Sequence, residues 1–480
     1  MLTSGFTLNV DKVLSVGSVF YDTEKVETFG FSVKKLFLTK KQIVPCKSLQ
    51  KTQKHCTIKK KEGNFMQNYR SFDFLNKLYF VRTGGSPEEY SAAMLIKQEC
   101  ERLGAQAELE AFPVDGCKIA KAVLKNADTD KEYECCGVGM SGSTPVGGIT
   151  APFTYVTSVE DAEIQNLEGK ICLVHTKLMK TKLYKKLVEK HASAVVLCCG
   201  DVYSPKEDVD LGAYMYRARH YDHGKIPAVC IRMSDAEKLL REKPSQVHVE
   251  MLEEEFKNNS HNVVATIEGS TFKDEIVAFT AHYDSVEFSK GAYDNATGST
   301  AILQLLSYFL QNKPLRTLKF IWCGSEEMGL LGSKAYVEKH KEELDKYKLC
   351  INIDMLGVTI GSDIACCSSN MSLVNYIRYL GCEVGFAIAA EQDVYSSDST
   401  PFADSGVPAV SFARLAPKGG AEIHSRKDVL DFLEEENYYR SCNFIAEFAR
   451  RLVSSRCFPV EKEIPDDVKQ KIDKYYGRKE

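Results

Sequence analysis

The sequence has no apolar run near the ~18–20 residues that a membrane-crossing helix needs. Its first residues, MLTSGFTLNVDKVLSV, lack the charged start and apolar core of a secretory signal. Charge of one sign is also scarce: 62 Lys and Arg stand against 66 Asp and Glu, a formal net charge of −4. No bulk field therefore points to nucleic acid or to a membrane surface as a partner. There is no CxxC pair, so a cysteine-based zinc site has no support. Cysteine itself is plentiful at 17 residues, but an odd number without a secretory signal argues against a disulfide framework. Many sit in apolar runs: Cys172 in KICLV, Cys198 and Cys199 in AVVLCC, Cys323 in FIWCG, Cys350 in LCINI. They read as small buried hydrophobes kept reduced, and the expected location is cytoplasmic.

What is present is the balance of an ordinary globular protein, 44% hydrophobic and 27% charged over 480 residues. That length suggests two to four domains, because single cores stop growing at roughly 250–300 residues. Residues 1–65 stand apart: they hold twelve lysines and no arginine, pattern poorly, and close on Lys59 to Lys61. They read as a basic extension, either upstream sequence belonging to too early a start codon or an interaction arm. Residues 66–117 open the main domain. Ser86 is set to cap a helix that begins with Pro87 and ends at Leu103-Gly104, and AQAELEAFPV alternates like a strand. Residues 118–254 are Gly-rich with short β–α–β segments and read as a compact insert. From 255 to 456, strands alternate with helices: EIVAFTAHYD, TLKFIWCGSEE, KLCINIDMLG and PAVSFAR, then a long closing helix capped by Asp428. Residues 457–480 are a charged tail. The expected fold is α/β, a mixed, mostly parallel central sheet flanked by helices, with a small inserted α/β or β-rich domain.

The ionisable residues fall at strand ends. His282 and Asp284 close EIVAFTAHYD, Glu326 and Glu327 follow TLKFIWCGS, and Asp354 ends KLCINID. Sites in open α/β sheets form beyond the carboxyl ends of strands. Asp294 lies in the Gly-rich turn GAYDNATG, and His424 in AEIHSRKD, after PAVSFAR. Imidazole plus carboxylate suits zinc. Two His and three carboxylates exceed what one tetrahedral ion with an open position takes, but suit two ions that share a bridge and activate a water. Asp294, short and on a tight turn, is the expected bridge. Glu326 and Glu327 are adjacent and cannot share one direction, so Glu327 is read as ligand and Glu326 as general base. Asp284 is placed to fix the His282 tautomer. Alone, an HxD is an ordinary turn, an EE pair a solvated helix start and an NID a cap. Their order and common placement carry the reading.

AHYDS, GAYDNATG, CGSEEMGLLGS, NIDMLG and EIHSRKD, in that order, resemble the motifs of the di-zinc aminopeptidases, a family that includes the glutamate carboxypeptidases, the glutaminyl cyclases and the transferrin receptor. The likeness covers roughly residues 260–450, with a flanking start near 70–115. It implies one zinc on His282 and Asp354, a second on Glu327 and His424, Asp294 between them and Glu326 as base. It also implies a cis peptide at Asp294-Asn295, and an insert similar to protease-associated domains. Many relatives have Ser-Asp-His before Pro-Phe. This chain has Ser397-Asp398-Ser399-Thr400-Pro401-Phe402, which weakens a cyclase reading, while Asp398 stays positioned to orient a site residue. His220 and His223 have HxxH spacing but no third ligand, and read as loop residues.

The implied activity is hydrolysis of the N-terminal peptide bond of peptide substrates. A carboxypeptidase on the same scaffold would need a basic pocket, with Arg414 and Arg426 as candidates. Another zinc amide hydrolase follows, and an inactive receptor or scaffold comes last, because every ligand position is filled.

Overall fold

The computed structural model describes residues 69–211 and 214–479, so the basic extension at 1–65 lies outside the described residues. The chain opens with α1 (Ser71–Leu78) and α2 (Pro87–Leu103). The Ser86 side chain accepts the Glu89 N–H at the start of α2, Pro87 occupies its first turn, and Gly104 ends it in the left-handed conformation. Strand β1 (Ala107–Asn126) leads into the insert, which holds β2 (Ile149–Tyr155), β3 (Ile171–His175), β4 (Ala194–Cys199) and β5 (Ala228–Arg232). Strand β6 (Gln246–Ile267) returns to the main body. There the chain alternates through β7 (Phe272–His282), α3 (Thr297–Gln311), β8 (Arg316–Cys323), α4 (Leu331–Lys339), β9 (Tyr347–Ile353), β10 (Ser362–Ser368), β11 (Ala389–Gln392) and β12 (Ala409–Leu415). It closes with α5 (Glu435–Val453) and α6 (Asp466–Tyr475).

The body sheet runs β11-β10-β12-β9-β7-β8-β6. β7 pairs in parallel with β8 and β9, and β9 with β12, while β6 and β10 run antiparallel to their neighbours. This is the mixed, mostly parallel sheet expected. Its central strands are apolar on both faces because helices cover both. On β7, Val277, Phe279 and Ala281 pack with α2, α3 and α5 on one side, while Ile276 and Ala278 pack with Tyr336 and Val337 of α4 on the other. α3 is buried through nearly its whole length and anchors the turn that precedes it.

β1 and β6 form one long antiparallel ribbon, paired from Ala107–Ala265 to Asn126–Val247 with a register shift between Ile119 and Lys121. Lys118 and Glu254, at the expected ends of the insert, are direct cross-strand partners in it. The far half of β6 pairs with β2, and β2, β3, β4 and β5 continue as a parallel sheet over its own apolar clusters. Two details depart from the sequence pattern. The charged stretch after residue 456 carries α6, whose Val468 and Ile472 are buried beside Phe402, so the charges lie on one side of a docked helix. The closing helix begins at Glu435, not at Asp428, whose side chain is used elsewhere.

Candidate metal centre

Parallel pairing of β7 with β8 and β9 sets three carboxyl ends side by side. His282 is the last residue of β7, Glu326 and Glu327 lie in the turn after β8, and Asp354 directly follows β9. The loop after β12 returns with His424, held at φ 56°. Asp294 sits in the turn Ala292–Ala296 that launches α3, and its peptide bond to Asn295 is cis. The Asn295 side chain donates to the Ile353 carbonyl at 2.9 Å and accepts the Gly298 and Met355 N–H groups, so this turn is tied to the end of β9.

The five predicted ligands come together in two sets that share Asp294. Its Oδ1 is 3.1 Å from His282 Nε2, which is also 3.6 Å from Asp354 Oδ1. Its Oδ2 is 3.1 Å from His424 Nε2, which is 3.2 Å from Glu327 Oε2. His282, Asp294 and Asp354 are buried, whereas the His424 side chain is 52% exposed and marks the open side. Asp284, buried beneath, lies 3.4 Å from His282 Nδ1 and accepts the Glu326 and Glu327 N–H groups at 3.0 and 3.1 Å. One carboxylate thus orients the imidazole and the turn that bears the two glutamates.

The donor set suits divalent zinc: neutral imidazole and carboxylate, no thiolate. Glu327 Oε1 and Asp354 Oδ1 are buried without hydrogen-bond partners among the described residues, an arrangement that costs free energy unless a cation satisfies it. Burial alone would lower the His282 pKa, but Glu326, Asp284, Asp294 and Asp354 outweigh it and raise it well above the ordinary value. Burial raises Asp354. Burial would also raise Asp294, yet its bonds to His282 and His424 hold it below the usual carboxylate range. Glu326 is raised well above its ordinary value, chiefly by burial and then by Glu327, Asp398 and Asp354 against the opposing pull of His282, which makes it a stronger base than a solvated carboxylate.

Four supporting residues escaped the sequence reading. Asp428, taken there for a helix cap, accepts the Tyr293 and Asp294 N–H groups at 2.7 and 3.1 Å, so it fixes the bridging residue from behind. Burial and Asp294 push it up to about 7. Arg82 is fully buried and donates only to backbone carbonyls: Tyr283, Leu78 (2.8 Å), Phe80 (3.0 Å), Lys290 (2.5 Å) and Gly291 (2.8 Å). It pins the loop after β7 and places positive charge behind the acidic cluster. Glu89, pushed up to about 8 by burial and Asp284, accepts the Ser325 N–H at 2.6 Å and steadies the glutamate turn. Arg217, from the insert, donates to the Glu327 carbonyl at 2.9 Å. None has a local signal for the site, since the site backbone that each one holds lies far away in sequence.

Other candidates are placed differently. Arg414 is buried, paired with Asp363 at 2.8 Å and bonded to the Val358 carbonyl; Arg426 pairs with Asp210 of the insert. Both are committed to structural contacts, so neither supplies the expected carboxylate pocket. His220 lies in the one-turn helix Ala218–Tyr221, not in a loop. It packs 5.5 Å from the Tyr184 and Tyr216 rings, where burial lowers its pKa to about 4, so it is a neutral core histidine. Asp398 is buried and pushed up to about 7 by burial, with His282 opposing, while Ser397, Ser399 and Ser411 bond to one another beside it.

Two imidazoles and three carboxylates gathered in two sets beyond the ends of parallel strands have the donor chemistry of a metal-dependent hydrolase. Residues 262–449 match the model for Peptidase family M28. Aminopeptidase YwaD of Bacillus subtilis (strain 168) is 25% identical over 391 residues, 78% of this chain and 82% of that one. Carboxypeptidase Q of Mus musculus is 31% identical over 240 residues, 45% of this chain and about half (49%) of its own length. Among solved structures, a zinc aminopeptidase from Bacillus subtilis matches at TM-score 0.67 and 22% identity, over 82% of this chain and 98% of its own. A Peptidase M28 precursor from Shewanella amazonensis SB2B matches at TM-score 0.69 and 21% identity, over 84% and 97%. These two carry the fold across nearly the whole described chain.

Proposed function

We propose that the chain is a metal-dependent exopeptidase that hydrolyses the N-terminal peptide bond of peptides, with two zinc ions held by His282, Asp354, Glu327 and His424 around Asp294. The observation that carries this reading is the split of Asp294, one oxygen 3.1 Å from His282 and the other 3.1 Å from His424. A carboxylate that serves two ligand sets at once is what a pair of ions requires. The family match and the likeness to aminopeptidases support the peptide substrate.

When bound, the ions supply Lewis acidity to the scissile carbonyl and lower the pKa of the attacking water. The chain supplies the rest. The Glu326 carboxylate takes the proton of the water and gives it to the leaving amine, and its raised pKa suits both transfers. Asp284, Asp428 and Glu89 hold the base and ligands in place, so little reorganisation precedes reaction. The insert, whose Arg217 reaches the Glu327 carbonyl, is read as a protease-associated-like domain that borders the site. The described cysteines are free thiols, most of them buried, which supports a reducing, cytoplasmic setting.

The test combines metal analysis with a panel of unblocked and N-acetylated dipeptides. About two zinc ions per chain, with cleavage of only the unblocked set, is the expected result. Cleavage of the blocked set at comparable rates transfers the reading to a carboxypeptidase. Failure to bind metal or turn over either set, after incubation with zinc, refutes the enzymatic reading.

A further inference from the structure

Two cysteines face each other across the sheet of the insert. A short strand, Cys135–Gly137, pairs antiparallel with β5, and Cys136 lies directly opposite Cys230. The Val138 N–H donates to the Ala228 carbonyl at 2.9 Å, which makes 138 and 228 a hydrogen-bonded pair of that ladder. Such pairs alternate along a ladder, so 136 and 230 form the next one, with Cα atoms about 5.5 Å apart. That separation lies within the ~4.4–6.8 Å that a disulfide spans. Both side chains belong to one apolar cluster, where Cys230 is fully buried and Cys136 packs at the partly exposed margin. Cys199 shares that cluster, two residues along β4 from Leu197, the β4 partner of Cys230. The pair is asymmetric. A hydrogen bond from Cys230 lowers the Cys136 thiol below its ordinary value, and the same bond raises Cys230. The more exposed sulfur is thus the better nucleophile, with a second thiol beside it.

The link from this pair to the metal centre runs through backbone. Just after the cysteine strand, the Gly139 N–H donates to the Tyr214 carbonyl at 2.7 Å, and the Tyr216 N–H donates to the Gly139 carbonyl at 2.9 Å. The residue after Tyr216 is Arg217, which donates to the Glu327 carbonyl at 2.9 Å. The strand that carries Cys136 therefore holds the segment through which the insert touches the ligand turn.

We propose that Cys136 and Cys230 form a reversible disulfide by exchange with a small-molecule disulfide of the glutathione class, and that this bridge weakens the metal centre. Its effect on turnover rests on the exopeptidase reading. The Cys136 thiolate attacks one sulfur of the small disulfide, and the first small thiol leaves. Cys230 gives its proton to solvent, and its thiolate attacks the Cys136 sulfur and expels the second. Two protein thiols are oxidised, and one small disulfide is reduced to two thiols. Directly opposed Cβ atoms in a ladder lie about 4.5–5.5 Å apart, wider than the ~3.5–4.5 Å of a relaxed bridge, so closure draws the short strand toward β5. The pull passes through Gly139 to Arg217 and loosens its hold on the Glu327 carbonyl. A bridge closed against that spacing is also readily reduced, which suits a sensor in a reducing compartment.

The test exposes the zinc-loaded full chain to oxidised glutathione, then to excess reduced glutathione. It reads linked peptides after non-reducing digestion, zinc affinity, and kcat on alanyl-alanine, for wild type, Cys136→Ser, Cys230→Ala and Cys199→Ser. A Cys136–Cys230 link is expected in the wild type and in Cys199→Ser, and in neither of the other two. Oxidation of the wild type should lower zinc affinity or kcat by about tenfold, the scale of a group that orients a metal ligand, and reduction should restore both. Cys136→Ser and Cys230→Ala should keep full activity throughout. Cys136 is only partly buried, so its variant keeps the test decisive if Cys230→Ala fails to fold. No link, a link through Cys199 or Cys135, or a Cys136–Cys230 link that leaves zinc affinity and kcat unchanged overturns the proposal. An equal oxidative loss in Cys136→Ser also overturns it, because another thiol is then responsible. All these outcomes leave the exopeptidase reading standing. A wild type that cleaves no unblocked dipeptide before oxidation refutes that reading instead, and the link with its effect on zinc affinity then decides the disulfide.

Discussion

The insert and the body are built the same way, as parallel strands that end at one edge of a sheet, yet only one edge carries chemistry. In the insert, β3 ends at His175, whose Nδ1 accepts the Lys177 N–H at 3.0 Å, and β5 ends at Arg232, which pairs with Glu134 at 2.7 Å. These two strand-end groups each have a partner of their own. At the edge of the body, β7, β8 and β9 deliver four acids and a histidine, the turn before α3 adds Asp294, and two of the carboxylate oxygens are buried without partners. Topology supplies the place, and uncompensated charge is what marks it as a site. The chain stores repulsion at one edge and resolves it at the other.

The largest effect should come from the base. Glu326→Gln keeps the size and most hydrogen bonds of the side chain but removes its basicity. It should lower kcat by about 10²–10⁴-fold, the contribution typical of a positioned proton-transfer group, with the zinc content unchanged. His175→Gln, the matching change at the insert edge, should leave kcat as it is. Near-normal turnover of Glu326→Gln would remove it from the mechanism and erase the contrast between the two edges.

Metal removal probes the stored repulsion directly. At free zinc about 100-fold above its Kd, binding should stabilise the folded chain by ~2.7 kcal/mol. Chelation should therefore abolish turnover and lower the Tm by several degrees, both restored by zinc. A Tm indifferent to the chelator would show that the carboxylates tolerate one another without an ion. Next in size is Asp428→Asn, which leaves one acceptor where two backbone N–H groups now bind. Groups that orient ligands in this way are worth about 10–100-fold in metal affinity or activity, so zinc titration and kcat should both register the loss. An affinity within twofold of wild type would show that the turn before α3 holds Asp294 unaided.

The parts of the molecule differ in how visible they are in sequence. The strands of the body are legible because burial on both faces makes them continuous apolar runs. The ligands are legible because each stands at the point where such a run stops. Glu326 and Glu327 could be told apart because adjacency forbids a shared direction. Arg82, Glu89 and Asp428 were not legible, because their partners are backbone groups up to 236 residues away, as Ser325 is from Glu89. Asp428 was misread because an acid shortly before a long helix resembles a cap, and only the fold shows that it faces Asp294. The tail was opaque for a similar reason: in α6 two buried residues, Val468 and Ile472, suffice to dock a helix whose composition is otherwise charged.

The smallest expected effect lies between the two regions. Arg426 pairs with Asp210 of the insert, and its backbone N–H also reaches the Asp210 carboxylate at 3.1 Å. The Arg426 side chain is 56% exposed, so solvent screens the pair and its contribution should be small. Arg426→Ala should therefore shift the urea midpoint only slightly and leave a single unfolding transition, because the β1–β6 ribbon and the remaining backbone contact still join insert to body. Two separated transitions in this variant would mean that one exposed pair couples the regions. The insert edge, silent in catalysis, would then be the part that holds the His424 loop in place.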